Sequence, residues 1–140
     1  MPYIPPITTP VQISLDDFIE LVKRDVDLLD EESVLSAADY FAGLAADKSL
    51  IPNYFNREIV EFLRGRKELS VTGPQSITMG VGPGFYLRAN VWQPSEQTVL
   101  GKYEDRLYSY GDAHDHNFCF LTVGYMGSGY ETELFEYDYK

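Results

Sequence analysis

Cysteine and histidine are scarce in this chain of 140 residues, which holds one cysteine, Cys119, and two histidines, His114 and His116. A single thiol excludes an internal disulfide and any zinc site built on several thiolates. Basic side chains are also few, 11 against 22 acidic ones, for a formal net charge of −11. Affinity for a nucleic-acid backbone comes from Lys and Arg neutralising phosphates, so no nucleic-acid partner is expected. No run approaches the roughly 18–20 apolar residues that cross a bilayer, so no membrane partner is expected either. The opening MPYIPPITTP has no basic stretch followed by an apolar one. No secretory signal is therefore in view, and a cytoplasmic location is the expectation. Internal repeats and low-complexity segments are also missing.

What is present suits a folded domain. Apolar residues make up 44% and aromatics 14%, enough for a core in spite of the charge. The acids are spread evenly, 13 against 7 bases in residues 1–70 and 9 against 4 in residues 71–140. With no acidic tail, the charge reads as a contribution to solubility. One domain is expected over residues 1–140.

Residues 1–13 contain four prolines and should form an extended arm, because proline fixes φ and disfavours helix at the residue before it. Helical signals occupy residues 14–66. Ser14 is placed to cap, with Asp17 three residues on. Leu15, Phe18, Ile19, Val22 and Val26 then fall on one helical face. A second helix should start near Asp30 to Glu32, carry the stripe Val34, Leu35, Ala38, Phe41 and Ala45, and end before Lys48. A third is expected over about Asn56 to Arg64, burying Ile59, Phe62 and Leu63 and stopping at Gly65.

The texture changes after residue 70. Eight of the 11 tyrosines lie from Tyr86 onward, in short β-branched and aromatic runs between glycine and proline turns. Such runs read as strands, placed near 75–80, 85–92, 98–102, 105–110, 113–125 and 130–139. No helix-length pattern separates them, so antiparallel pairing is expected. The segments Gly80–Gly84 and Gly124–Gly129 lack the Lys-Ser/Thr and the following helix of a phosphate loop. They read as hairpin connections.

The chemistry concentrates in Gly111-Asp-Ala-His114-Asp-His116. In a strand, residues i and i+2 share a face, so the two imidazoles project together and can bind one first-row metal ion. Phe118 and Phe120 fall on the same face and would supply an apolar surround. The structural alternative is a half-buried histidine pair hydrogen-bonded to Asp112 or Asp115.

Gly111-x-x-His114-x-His116, followed by an apolar strand reaching Gly124, resembles the first metal motif of the cupins. Ala113-His-Asp-His116 with Phe118-Cys-Phe-Leu121 and Glu131 to Glu136 resembles more narrowly the thiol-dioxygenase branch, typified by cysteine dioxygenase. Helices before the barrel and a strand like Leu87-Arg-Ala-Asn-Val-Trp92 are similar in kind. The resemblance implies an α+β fold, with N-terminal helices followed by an antiparallel cupin-like β-barrel (jelly roll) over residues 70–140. It implies that His114 and His116 hold a divalent metal, Fe(II) by preference, with Zn, Mn or Ni as alternatives. It further implies oxidation of a small thiol or amino-acid-type substrate. Positions 120 and 121 are Phe and Leu where a general cupin has its Glu, and no histidine follows His116. A third ligand must then come from elsewhere. The barrel is expected to be incomplete in this chain, completed by a second chain, a C-terminal fragment or a homodimer.

Other candidates are weaker. Cys119 lies three residues after His116 rather than the five of a thioether-forming cysteine, and is expected to be a packed core thiol. Arg88 could clamp a substrate carboxylate, and Tyr125 could hydrogen-bond substrate or oxygen, with Tyr108 and Tyr110 nearby. Glu131 or Glu133 could complete a two-histidine, one-carboxylate triad. Two other function classes compete with the oxygenase: a non-catalytic cupin-like binding or assembly module, and a Zn or Mn isomerase or hydrolase.

Overall fold

Ser14 opens the first helix, α1 (Leu15–Asp25). In the computed structural model, which describes residues 3–66, 75–93, 112–116, 118–129 and 131–136, its hydroxyl accepts from the Asp17 amide at 3.1 Å and donates to the Asp17 carboxylate at 2.7 Å. Asp16 and Asp17 lie in the first turn and Lys23 and Arg24 in the last, each sign facing the helix pole that favours it. Arg24 donates twice to Asp25, and that hydrogen bond holds the Asp25 carboxyl below the usual carboxylate range. Leu15, Phe18 and Val22 are buried. Each such side chain contributes about 1.5–3 kcal/mol by leaving water.

The single second helix expected from the sequence is two, α2 (Glu31–Ser36) and α3 (Ala38–Ala46), joined at Ala37. Serines account for the break. The Ser36 hydroxyl donates to the Ser33 carbonyl at 2.6 Å, and the Ser33 hydroxyl accepts from the Asp27 amide at 2.9 Å. Such local bonds compete with the helical ladder. Here the Ala37 amide turns to the Val34 carbonyl at 3.1 Å, a tightened last turn.

The third expected helix is longer than the sequence suggests. It is α4 (Leu50–Leu63), and Pro52 sits in its first turn, where an amide has no helical acceptor to lose. Asp47 organises the entry by accepting from the Ser49 amide and hydroxyl at 2.9 and 2.6 Å. The buried face is Leu50, Tyr54 and Glu58, not the expected Ile59, Phe62 and Leu63, which are 46, 45 and 76% exposed. At the far end the Gly65 amide bonds to Phe62 O and the Arg66 amide to Glu61 O, the paired bonds of a Schellman stop.

Two strands follow, β1 (Ser76–Gly82) and β2 (Phe85–Asn90), paired antiparallel across a Pro83–Gly84 turn. The first strand runs past Gly80, where the sequence pattern ends it, to include Gly82. Register runs from Ser76 opposite Asn90 to Gly82 opposite Phe85, with Met79 as an extra residue between Thr78 and Gly80. This bulge sends Met79 inward beside Leu87, and both are buried. A lone hairpin is marginal in water, and this one is held by its inner face. Met79 and Leu87 join Leu15, Phe18, Val22, Leu44, Leu50 and Tyr54 in one core. The Tyr54 hydroxyl also donates to the Thr78 carbonyl at 2.6 Å.

The arm is extended, without helix or strand over residues 3–13. It is pinned by Asp39, which accepts from the Thr8 amide and hydroxyl at 3.1 and 3.2 Å, and by the Ile13 amide on the Gly43 carbonyl at 3.2 Å.

The molecule is thus of mixed helix and strand, but the described residues form a two-stranded sheet and not a closed barrel. Expected strands 98–102 and 105–110 lie outside the described residues. Within 113–125 and 130–139 no strand is assigned among the described residues. Burial there still alternates. Leu121, Val123 and Tyr125 are half-buried, and Thr122, Gly124 and Met126 are exposed. This is the period of an extended segment with one face on the body. Among the described residues, no helix is long and apolar enough to cross a membrane.

Candidate metal centre

His114 and His116 sit in a stretch without helix or strand, ahead of that alternating segment. Their ring centroids are 4.9 Å apart, nearly perpendicular at 88°. His114 Nδ1 lies 2.9 Å from the Asp112 carbonyl. A carbonyl only accepts, so Nδ1 carries the proton and Nε2 of a neutral ring presents its lone pair. Metal-binding histidines are oriented by this kind of outer contact. It is also the Asp112 contact of the structural alternative, made through the main chain.

The expected face is assembled, but outside the core. The His116 ring lies 5.0 Å from the tilted Phe118 ring and meets Phe120 edge-on at 5.1 Å, and both histidines are exposed. Phe118 and Phe120 are 48 and 60% exposed. The apolar surround expected inside a barrel is therefore a surface cluster among the described residues. The described residues 112–116 and 118–120 are exposed at odd and even positions alike, and the chain meets the body only from Leu121 onward.

Two imidazoles make half of a ligand set. Among the described residues, no three His, Cys, Asp or Glu side chains gather around one point. Glu131, Glu133 and Glu136 are exposed, and neither Glu131 nor Glu133 is brought to the pair. Cys119 is exposed as well, a correction to the packed thiol expected, since the chain settles onto the body only from Leu121.

Arg88 and Tyr125 are placed elsewhere. Arg88 lies on the outer face of β2, with its guanidinium 5.8 Å from the Tyr86 ring centroid. Tyr125 packs against the core cluster. Its hydroxyl is buried without a hydrogen-bond partner among the described residues, and a group left so costs free energy. Lys48 donates to the Tyr125 carbonyl at 3.3 Å and stands 5.3 Å from the ring centroid. That tie from the α3–α4 turn follows no sequence motif. Tyr108 and Tyr110 lie outside the described residues. An open groove of about 420 Å³ lies at the opposite end of the chain, where Tyr3, Pro5 and Pro6 face Glu32, Leu35 and Asp39.

No protein family, curated protein or solved structure matches this chain. The functional reading therefore rests on the residues themselves.

Proposed function

We propose that the chain carries half of a cupin-type metal centre, in which His114 and His116 bind one divalent ion, Fe(II) by preference. The supporting observation is the pair of neighbouring imidazoles with His114 Nδ1 committed to the Asp112 carbonyl, which leaves Nε2 for a metal. Two neutral nitrogens suit Fe, Zn, Mn or Ni alike. The further ligand comes from outside the described residues, supplied by a second chain, a C-terminal fragment or a second copy that also completes the barrel. A bound iron would supply the Lewis-acid and redox chemistry for dioxygen to oxidise a small thiol or amino-acid-type substrate, both oxygen atoms passing to the substrate. Asp112 fixes the His114 ring, and Phe118 and Phe120 shield one side of His116 from water.

Metal content after loading with Fe(II), and separately with Zn(II), tests the reading. His114→Ala and His116→Ala should each lower bound metal about 10–100-fold. Metal content unchanged in both variants overturns it. A second reading, a non-catalytic binding module, is favoured by the exposure of all four rings from His114 to Phe120. An apo protein that binds no metal at any loading would select it.

A further inference from the structure

The α4 surface poses a question that the metal centre does not answer. Phe55, Ile59, Phe62 and Leu63 recur at i, i+4, i+7 and i+8, the spacing of a core-facing stripe. All are 40–76% exposed. Around the stripe stand Arg57, Arg64 and Arg66. Arg64 and Arg66 share the single carboxylate of Glu61, and Arg57 reaches Asp16 at 3.2 Å. Two guanidinium groups on one carboxylate leave positive charge in excess, and such exposed pairs are weak enough to be exchanged.

The complementary surface lies at the other end of the sequence. Residues 131–136, Glu-Thr-Glu-Leu-Phe-Glu, are exposed throughout. Leu134 and Phe135 are 66 and 74% exposed among three glutamates and no base. One surface is apolar with a basic rim, and the other is apolar with an acidic rim.

We propose that α4 of one copy receives residues 131–136 of a second copy of this chain. With a net charge of −11, two copies repel except where positive side chains gather, and the C-terminal end of α4, where Arg64 and Arg66 share one carboxylate, is such a place. Each copy offers both surfaces, and the proposed arrangement makes the contact twice about a twofold axis, which closes it as a dimer. Leu63 and Phe135 are the central apolar anchors, with the arginines and glutamates setting the register around them.

Sedimentation equilibrium over a wide dilution series tests this. The wild-type chain should reach twice 15.9 kDa when concentrated and dissociate on dilution. Leu63→Glu and Phe135→Glu should each weaken dimerisation at least about tenfold. Both side chains are exposed, so circular dichroism should remain native. Arg64→Glu with Arg66→Glu should also dissociate the dimer, and adding Glu131→Arg with Glu133→Arg should restore it. A 15.9 kDa monomer at every concentration overturns the proposal, as does a dimer indifferent to both anchor substitutions. A monomer with residues 131–136 protected from hydrogen exchange places the contact within one chain and equally overturns it.

Discussion

The helical body and the segment that bears the histidines use similar aromatic residues to opposite ends. Phe18 is buried and packs on Phe41 at a centroid distance of 5.3 Å, inside a cluster fed by α1, α3, α4 and both strands. Phe118 and Phe120 lie 6.3 Å apart on the surface and flank a histidine. In the first case the rings remove one another from water and hold elements together. In the second they shape a local environment around a polar side chain. An aromatic residue in this chain is thus a core residue only where another element of the body is set against it.

That contrast can be broken by substitution. Phe18→Ala should cost about 3–5 kcal/mol of stability, whereas Phe120→Ala should stay within about 0.5 kcal/mol, both read by denaturant unfolding. Equal costs would mean that the surface cluster is part of the core. Gly43→Ala comes next. A Cβ at that position falls on the Val11 carbonyl oxygen, main chain that cannot swing aside. The arm must shift, at about 1–3 kcal/mol, with faster amide exchange at Ile13 as the local sign. An unperturbed Ile13 amide would show that the arm is not latched there. Lys48→Met is the smallest and the most pointed, because Lys48 joins the two regions. Losing its bond to Tyr125 should cost about 0.5–1.5 kcal/mol and raise hydrogen exchange over residues 121–126 while leaving α1 unchanged. Exchange rising equally in α1 would mean that the two regions open as one unit.

Much of the helical body is legible in the sequence because it depends on local signals. Ser14 with Asp17 and the Leu15-Phe18-Val22 stripe are short-range patterns, and the Pro83–Gly84 turn is equally local. The misreadings occur where a signal has two meanings. Pro52 breaks a helix interior but is harmless in a first turn, so the start of α4 is hidden. Periodicity shows that Ile59, Phe62 and Leu63 share a face, yet it does not say whether a partner stands opposite. At the candidate site, the two rings lie together with Phe118 and Phe120, although the described residues there form no strand whose i, i+2 spacing would require it. The spacing is silent on whether that stretch meets the body at all, and the described residues settle onto it only from Leu121. The buried Tyr125 hydroxyl and the Lys48 tie are products of tertiary packing alone.

The bulge at Met79 has a consequence for how helix and sheet divide space. Because Met79 is extra, Gly80 and Gly82 fall opposite Leu87 and Phe85 and share their inward face. A Cβ at Gly80 would collide with the Ile19 side chain, and one at Gly82 with the Phe85 ring. The hairpin is therefore a mould at this point and α1 the casting. Volume that a strand residue would ordinarily supply is supplied by the helix instead. Size at positions 19 and 80 is thereby coupled: a side chain at 80 is accommodated by turning or shortening the Ile19 side chain, whose tip is the nearest group.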